Sequence, residues 1–176
     1  MKWLKWGAAI FAGLIATGVL ALLVLGQRDG ARRTGASVEI ARPPAEVWSW
    51  LEDAAKFRQW VGWVTEVRDS GATRSVFMKD PNMNDEIVRV DSVVKERIPH
   101  QRLVVELTSP IGFSGVMTYS LEDLGGGRTR LTTSAHWVYG HWFASLMEPV
   151  VTPQANAKGR EDLERLKRLA ERRPLL

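Results

Sequence analysis

The stretch VEIARPPAEVWSWLEDAAKFRQW, Val38–Trp60, decides how the rest of the chain is read. Residues Ser37–Ala41 alternate and predict a short strand. Pro43 and Pro44 then suit the first turn of a helix, where a backbone amide has no intrahelical partner. Val47, Trp48, Leu51 and Ala55 recur at helical spacing and give that helix one apolar stripe. Asp53 is placed to cap a second short helix through Phe57 and Trp60. Four of the chain's eight tryptophans gather over residues 48–63: Trp48, Trp50, Trp60 and, just past the stretch, Trp63. Trp48 lies on the stripe with Leu51 and reads as a core anchor. Trp50 is turned about 200° from it round the helix, so the two cannot both point into one core. Trp50 and Trp63 are therefore expected at a pocket rim or a membrane-facing surface.

From Trp63 onward the period becomes two, with Trp63, Thr65 and Val67 on one side. TRSVFMK (73–79) follows a Ser70-Gly71 turn, and EIVRVDSVVKE (86–96) sets Val88, Val90, Ser92 and Val94 on one face. RLVVELT aligns Leu103, Val105 and Leu107. GVMTYSLED and RTRLTTSAHWV flank Gly125-Gly126-Gly127, a hairpin connection. The tail from Phe143 is helical, with Thr152, Ala155, Gly159, Leu163, Leu166 and Ala170 on one face. Pro149 and Pro153 place the start of this helix, or a kink, between Glu148 and Gln154. The order is strand, two helices, about six antiparallel strands and one long helix. That order predicts an α+β fold whose sheet curls around the last helix.

Ahead of this domain, Gly7–Leu25 (GAAIFAGLIATGVLALLVL) carries no charge. Nineteen helical residues rise roughly 28 Å, close to the ~30 Å hydrocarbon core of a bilayer. Trp3 and Trp6 precede it, where amphipathic rings favour the headgroup zone. A cleaved signal peptide is the competing reading, but the run is longer than a usual h-region and ends in LLVLGQRDG without a small-residue cleavage site. The expected layout is an anchor over residues 1–26, a linker over 27–36, the domain over 37–172 and a short tail over 173–176. Basic residues nearly balance across the span, with a weak lean to N-inside and the domain outside. Ala9, Gly13, Thr17 and Ala21 recur every fourth residue, a small-residue seam on which such helices can self-associate.

Of 24 basic and 20 acidic residues, five and one lie within residues 1–33, leaving nineteen of each in the remainder. The domain is neutral, and the basic pI is no nucleic-acid footprint. The chain has no cysteine, hence no disulfide. His100, His136 and His141 lack metal-ligand spacing, so no metal and no cofactor is expected. GFSG at Gly112–Gly115 fails the nucleophile-elbow pattern, which needs a glycine two residues after the serine. LGGGRT joins two strands and lacks the lysine and helix of a phosphate loop.

Three stretches together resemble the START-like superfamily, also called SRPBCC, with its helix-grip fold. They are VEIARPPAEVWSWLEDAAKFRQW, ERIPHQRLVVEL (96–107), and YSLEDLGGGRTRLTTSAHW (119–137) leading into REDLERLKRLAE (160–171). The first and third are most similar to polyketide cyclase/dehydrase-type members. Trp48 and Trp60 match positions commonly aromatic there, whereas Trp50 and Trp63 are additions. The superfamily holds lipid carriers, plant allergens, cyclases, quinone-binding proteins and chaperone co-factors, so the resemblance implies a fold and not one activity.

The resemblance implies a cavity between sheet and last helix, apolar with a few placed polar groups. Alternation puts Met117, Tyr119, Leu121, Leu131, Thr133, Ala135 and Trp137 on one inward face, opposite the small Thr152, Ala155 and Gly159. Ligand contacts are expected from Trp60, Trp63, Met117, Tyr119, Thr133, Trp137, Thr152, Ala155 and Gly159, with Tyr119 and Thr133 orienting a ligand oxygen. The expected function is a membrane-anchored binding or carrier domain for a hydrophobic small molecule: a lipid, an isoprenoid quinone or a polyketide-like compound. No catalytic constellation is recognisable, so an enzyme is the lesser expectation. Two alternatives stand beside it. One is a cyclase or dehydrase, for which Tyr119 or His136 would serve as acid or base. The other is a protein-interaction module whose interior is filled.

Overall fold

The protein's structure, a computed structural model, describes residues 2–26, 33–79, 86–139 and 142–172. Its elements run α1 (Lys2–Gly26), β1 (Arg33–Ile40), α2 (Pro44–Glu52), α3 (Ala54–Trp60), β2 (Val64–Ser70), β3 (Thr73–Lys79), β4 (Ile87–Ile98), β5 (Arg102–Ser109), β6 (Phe113–Gly125), β7 (Arg128–Tyr139) and α4 (Trp142–Glu171). The seven strands form one antiparallel sheet in the order β1-β7-β6-β5-β4-β3-β2. Strands β2 to β7 are joined in sequence as neighbours, and β1 closes on the far side of β7 with Ile40 opposite Thr129. Helices α2 and α3 therefore carry the chain from one edge strand of the sheet to the other. With α4 against the sheet, this is the α+β, helix-grip arrangement expected from the sequence.

Local chemistry fixes the joints. Pro43 holds an extended backbone (φ −68°, ψ 156°) and Pro44 opens α2, which buries Val47, Trp48 and Leu51. Asp53 ends α2 and caps α3: its carboxylate accepts from the amides of Ala55 at 2.8 Å and Lys56 at 3.0 Å. The core gathers Val38 and Ile40 of β1, the α2 stripe, Leu103, Tyr119, Leu121 and Leu131 of the sheet, and Leu163, Leu166 and Ala170 of α4. The end of α4 is held by Arg42, whose Nε donates to the Ala170 carbonyl at 2.9 Å. Thr129, wholly buried, donates to the Arg42 carbonyl at 2.7 Å and pins that loop to β7.

Three boundaries differ from the sequence reading. β1 starts at Arg33, inside the expected linker, because β7 extends far enough to pair Arg33 with His136. α4 starts at Trp142 and runs across Pro149 and Pro153. A proline removes only its own amide bond, and the following turns of a long helix carry it through. Trp63 does not belong to β2: its φ is +70°, and a bulge between Val64 and Glu66 resets the alternation.

The expected anchor is a helix, α1, of 25 residues. Its side chains are described at Phe11 and from Gly13 to Val24, where Phe11, Leu14, Ile15, Leu20 and Val24 are more than half exposed. Among the described residues no helix is long and apolar enough to cross a membrane, so the span expected over residues 7–25 gains no support from the structure. The self-association seam gains none either. Thr17 turns its hydroxyl back onto the Gly13 carbonyl at 2.9 Å, and the side chain of Ala9 is outside the described residues. Residues 27–32 of the expected linker and 173–176 of the tail also fall outside them.

Candidate functional site

The apolar face of the sheet is covered unequally. α4 lies mainly along β1, with Gly159 4.0 Å from the Cβ of Ala36 measured from where its own Cβ would stand. The β3–β5 half of the same face is roofed instead by the joint between α2 and α3. Beneath that roof is a cavity of about 290 Å³, near the lower end of the ~300–1,000 Å³ typical of small-molecule sites. Leu103, Val105 and Leu107 of β5 and Tyr119 of β6 form its floor, with Leu51 and Phe57 on the helical side. Glu52, Asp69, Arg74 and Arg97 stand at its mouth.

Arg74 organises that mouth. It shares the inward face of β3 with Val76, two residues on. Its Nε donates to Asp69 Oδ1 at 2.8 Å, its Nη2 to Asp69 Oδ2 at 3.1 Å and to the Glu52 carbonyl, and its Nη1 to the Leu51 carbonyl at 3.1 Å. The guanidinium also lies 5.5 Å from the centre of the Phe57 ring. Glu52 is paired in turn with Arg97 at 3.1 Å. The charges at the mouth are thus matched pair by pair.

Tyr119 is the buried polar side chain of the cavity floor. It is 6% exposed, and its hydroxyl makes no hydrogen bond among the described residues. Burial pushes the phenol's pKa up, with the nearby Arg74 charge opposing and the Asp162 charge reinforcing the shift. The phenol stays protonated and is a standing donor.

Of the other residues expected to touch a ligand, none lines this cavity. Trp60 is buried and its Nε1 donates to the Trp50 carbonyl at 2.9 Å, which ties α3 to α2. Trp63 is 39% exposed, its ring 4.7 Å beneath the Lys158 ammonium. Met117 packs half-buried against the core. Thr133 is half-buried with its hydroxyl 3.4 Å from the Ala36 carbonyl. The Trp137 indole donates to Thr34 Oγ1 at 3.1 Å and lies over Gly115, where a Cβ would come within 2.6 Å of its ring. Thr152, Ala155 and Gly159 are half-buried on the α4 face. The sequence placed the cavity under α4; the cavity found among the described residues lies under α2 and α3. Arg74 was missed, yet it was legible: a cation in register with Val76 and Met78 on an apolar face.

His136, the second candidate acid or base, is exposed, on the sheet face opposite Trp137. Among the described residues no three His, Cys, Asp or Glu side chains converge as metal ligands. A second depression, bounded by Pro43, Pro44, His100, Gln101 and Asp123, has a larger volume of about 520 Å³ but is shallower and more open. It offers no buried polar group.

A sheet gripping a long final helix, with an apolar cavity under its helical roof, defines the class: a helix-grip domain. Residues 32–171 match the family described as polyketide cyclase / dehydrase and lipid transport, and the chain belongs to that family. No curated protein matches it. Among solved structures it is similar to a conserved protein from Geobacillus kaustophilus, at 15% identity and TM-score 0.67, over 78% of this chain and 94% of that one. It is similar also to a protein from Chromobacterium violaceum, at 14% identity and TM-score 0.65, over 81% of this chain and 99% of the other. A third is the Zhui aromatase/cyclase of a Streptomyces species, at 17% identity and TM-score 0.65, over 81% and 94% of the two chains. At these identities the likeness is one of fold.

Proposed function

We propose that this chain is a binding or carrier domain for a hydrophobic small molecule, a lipid, quinone or polyketide-like compound, enclosed between the α2–α3 roof and strands β3–β5. The observation that carries this reading is the cavity itself: an apolar floor holding one buried phenol. Burial of an apolar ligand there contributes about 25 cal/mol per Å² removed from water, and the phenol fixes its orientation. Mass spectrometry of the full chain purified in mild detergent tests the reading. A stoichiometric apolar molecule is the expected result, and a chain that repeatedly purifies empty would overturn it.

An enzymatic reading keeps one specific support, the family's cyclase/dehydrase description. In that case Tyr119 is the acid that reaches the substrate, and His136 is not. Turnover of a poly-ketone lost in Tyr119→Phe and kept in His136→Ala would favour it.

The reading also places the domain at a membrane, held by the uncharged run Gly7–Leu25, with the domain on the outer side. The exposed apolar side chains of α1 are consistent with lipid contact. The full chain is then expected to stay in the pellet after alkaline carbonate washing, and residues 34–176 alone to be released. Release of the full chain would remove the anchor from the proposal and leave the cavity untouched.

A further inference from the structure

Tyr119 stands out among the polar groups of the interior. A buried phenol usually finds a partner, because leaving the hydroxyl unpaired forfeits its bond to water. Here the ring is packed between Leu103 on β5 and Thr133 on β7, its cross-strand neighbours. The hydroxyl, unpaired among the described residues, belongs to the wall of a cavity. Its position calls for an acceptor that the fold itself does not supply.

The mouth restricts what that acceptor can be. Four of the five N–H groups of Arg74 are taken by Asp69 and by the two carbonyls at the end of α2. Its charge is matched by Asp69, and the charge of Glu52 by Arg97. The two ion pairs sum to zero, so the mouth carries no excess charge to draw in a carboxylate, a phosphate or an amine. A charged ligand would have to be desolvated against a wall with no excess counter-charge. The apolar floor and the modest volume further favour a compact molecule over a long extended chain.

We infer that the cavity takes a neutral, compact apolar molecule bearing a carbonyl or hydroxyl oxygen, and that this oxygen accepts a hydrogen bond from Tyr119. This rests on the ligand-binding reading above and sharpens it: acidic lipids and fatty acids are excluded, and neutral ketones and alcohols are selected. Removing the ligand's oxygen leaves the phenol unpaired in the complex, so the oxygen is worth about five- to tenfold in affinity.

Three naphthalenes substituted at the same ring position test this: the methyl ketone acetonaphthone, ethylnaphthalene of nearly the same shape, and naphthoate. Binding is measured for the full chain and for Tyr119→Phe in the same detergent, so that partition into micelles cancels between the two proteins. The native chain is expected to prefer the ketone to the hydrocarbon by about tenfold and to naphthoate by more. In Tyr119→Phe the preference for the ketone over the hydrocarbon falls at least fivefold. A ketone-over-hydrocarbon preference indifferent to Tyr119→Phe, or a preference for naphthoate, would overturn the inference while leaving a ligand-binding cavity in place. Failure of all three probes to bind a chain that also purifies empty would instead overturn the ligand-binding reading beneath it.

Discussion

Arg74 Nη1 donates to the carbonyl oxygen of Leu51 at 3.1 Å, so a cation on β3 closes the C-terminal end of α2. The last carbonyls of a helix have no intrahelical donor, and a cation there meets both the hydrogen-bond deficit and the negative end of the helix dipole. The same side chain frames the cavity mouth. Helix capping and cavity shape are thus joined in one residue.

Replacing Arg74 should therefore be felt twice. Arg74→Ala is expected to cost about 2 kcal/mol through the loss of charge-assisted bonds from a mostly buried guanidinium. Arg74→Lys should recover only part of this, because an ammonium cannot span a carboxylate and two carbonyls as a planar fork does. Urea unfolding reads both, as a lower midpoint with an unchanged slope. Equal stability of the alanine and lysine variants would refute the bidentate role.

Filling the cavity from its floor separates binding from folding. Val105→Phe projects a ring into the space between β5 and the α2–α3 roof, and the overpacking should cost at most about 1–3 kcal/mol. The expected outcome is a folded chain that no longer carries an apolar molecule in mass spectra. Retention of the molecule by this variant would place the site elsewhere in the fold.

Most of the architecture was legible because it is written in short-range patterns. The Pro43-Pro44 start, the Asp53 cap, the Gly125–Gly127 turn and the alternation of Leu103, Val105 and Leu107 each depend on neighbours in sequence. Arg89 and Asp91, two apart on β4, likewise depend on sequence neighbours and pair at 2.8 Å. The site was less legible, because it depends on where α4 lies across the sheet. Small residues at Thr152, Ala155 and Gly159 serve equally for opening a cavity or for close packing on β1, and Gly159 against Ala36 is the second case. Trp63 escaped the pattern because a bulge and a left-handed residue break the alternation at the strand's start. The indole of Trp137 was expected to line a cavity, yet Gly115 across the strand gives it a bed to fill.

Acid should destabilise the fold through the carboxylates whose charged form is stabilised by folding. The amides of Lys56 and then Ala55 hold the pKa of Asp53 below its ordinary value. Hydrogen bonds from Ser75 and then Arg89 do the same for Asp91. A carboxylate with a depressed folded pKa stabilises the fold above its unfolded pKa, and that contribution is lost as pH falls through the folded one. Stability is thus expected to fall below about pH 4. Asp53→Asn, which keeps an accepting oxygen but cannot titrate, should flatten that part of the curve. An acid limb of unchanged steepness in the variant would remove Asp53 from the account.

Asp162 ties α4 to the turn between α3 and the sheet. At 7% exposure it is one of two buried polar residues in the described interior. It accepts from the Gly62 amide at 2.9 Å and pairs with Lys158, whose ammonium lies over the Trp63 ring. Gly62 immediately precedes Trp63, a bulky residue held at φ +70°, and the Trp63 carbonyl accepts from the Lys79 amide at 2.9 Å on the other side. Such a backbone costs of order 1–3 kcal/mol and persists only where its surroundings enforce it. Asp162→Ala leaves a buried amide unpaired and a part-buried ammonium without its partner, at about 3 kcal/mol. Asp162→Asn keeps an acceptor for Gly62 and should lose less. Trp63→Gly frees the strained backbone but removes the ring beneath Lys158, so its effect should differ by about 1 kcal/mol between the native and Asp162→Ala backgrounds. Chemical denaturation of the four proteins in that cycle measures the coupling. Additive effects would mean that Asp162 and Trp63 are neighbours without being linked, and that the turn into the sheet holds its shape by itself.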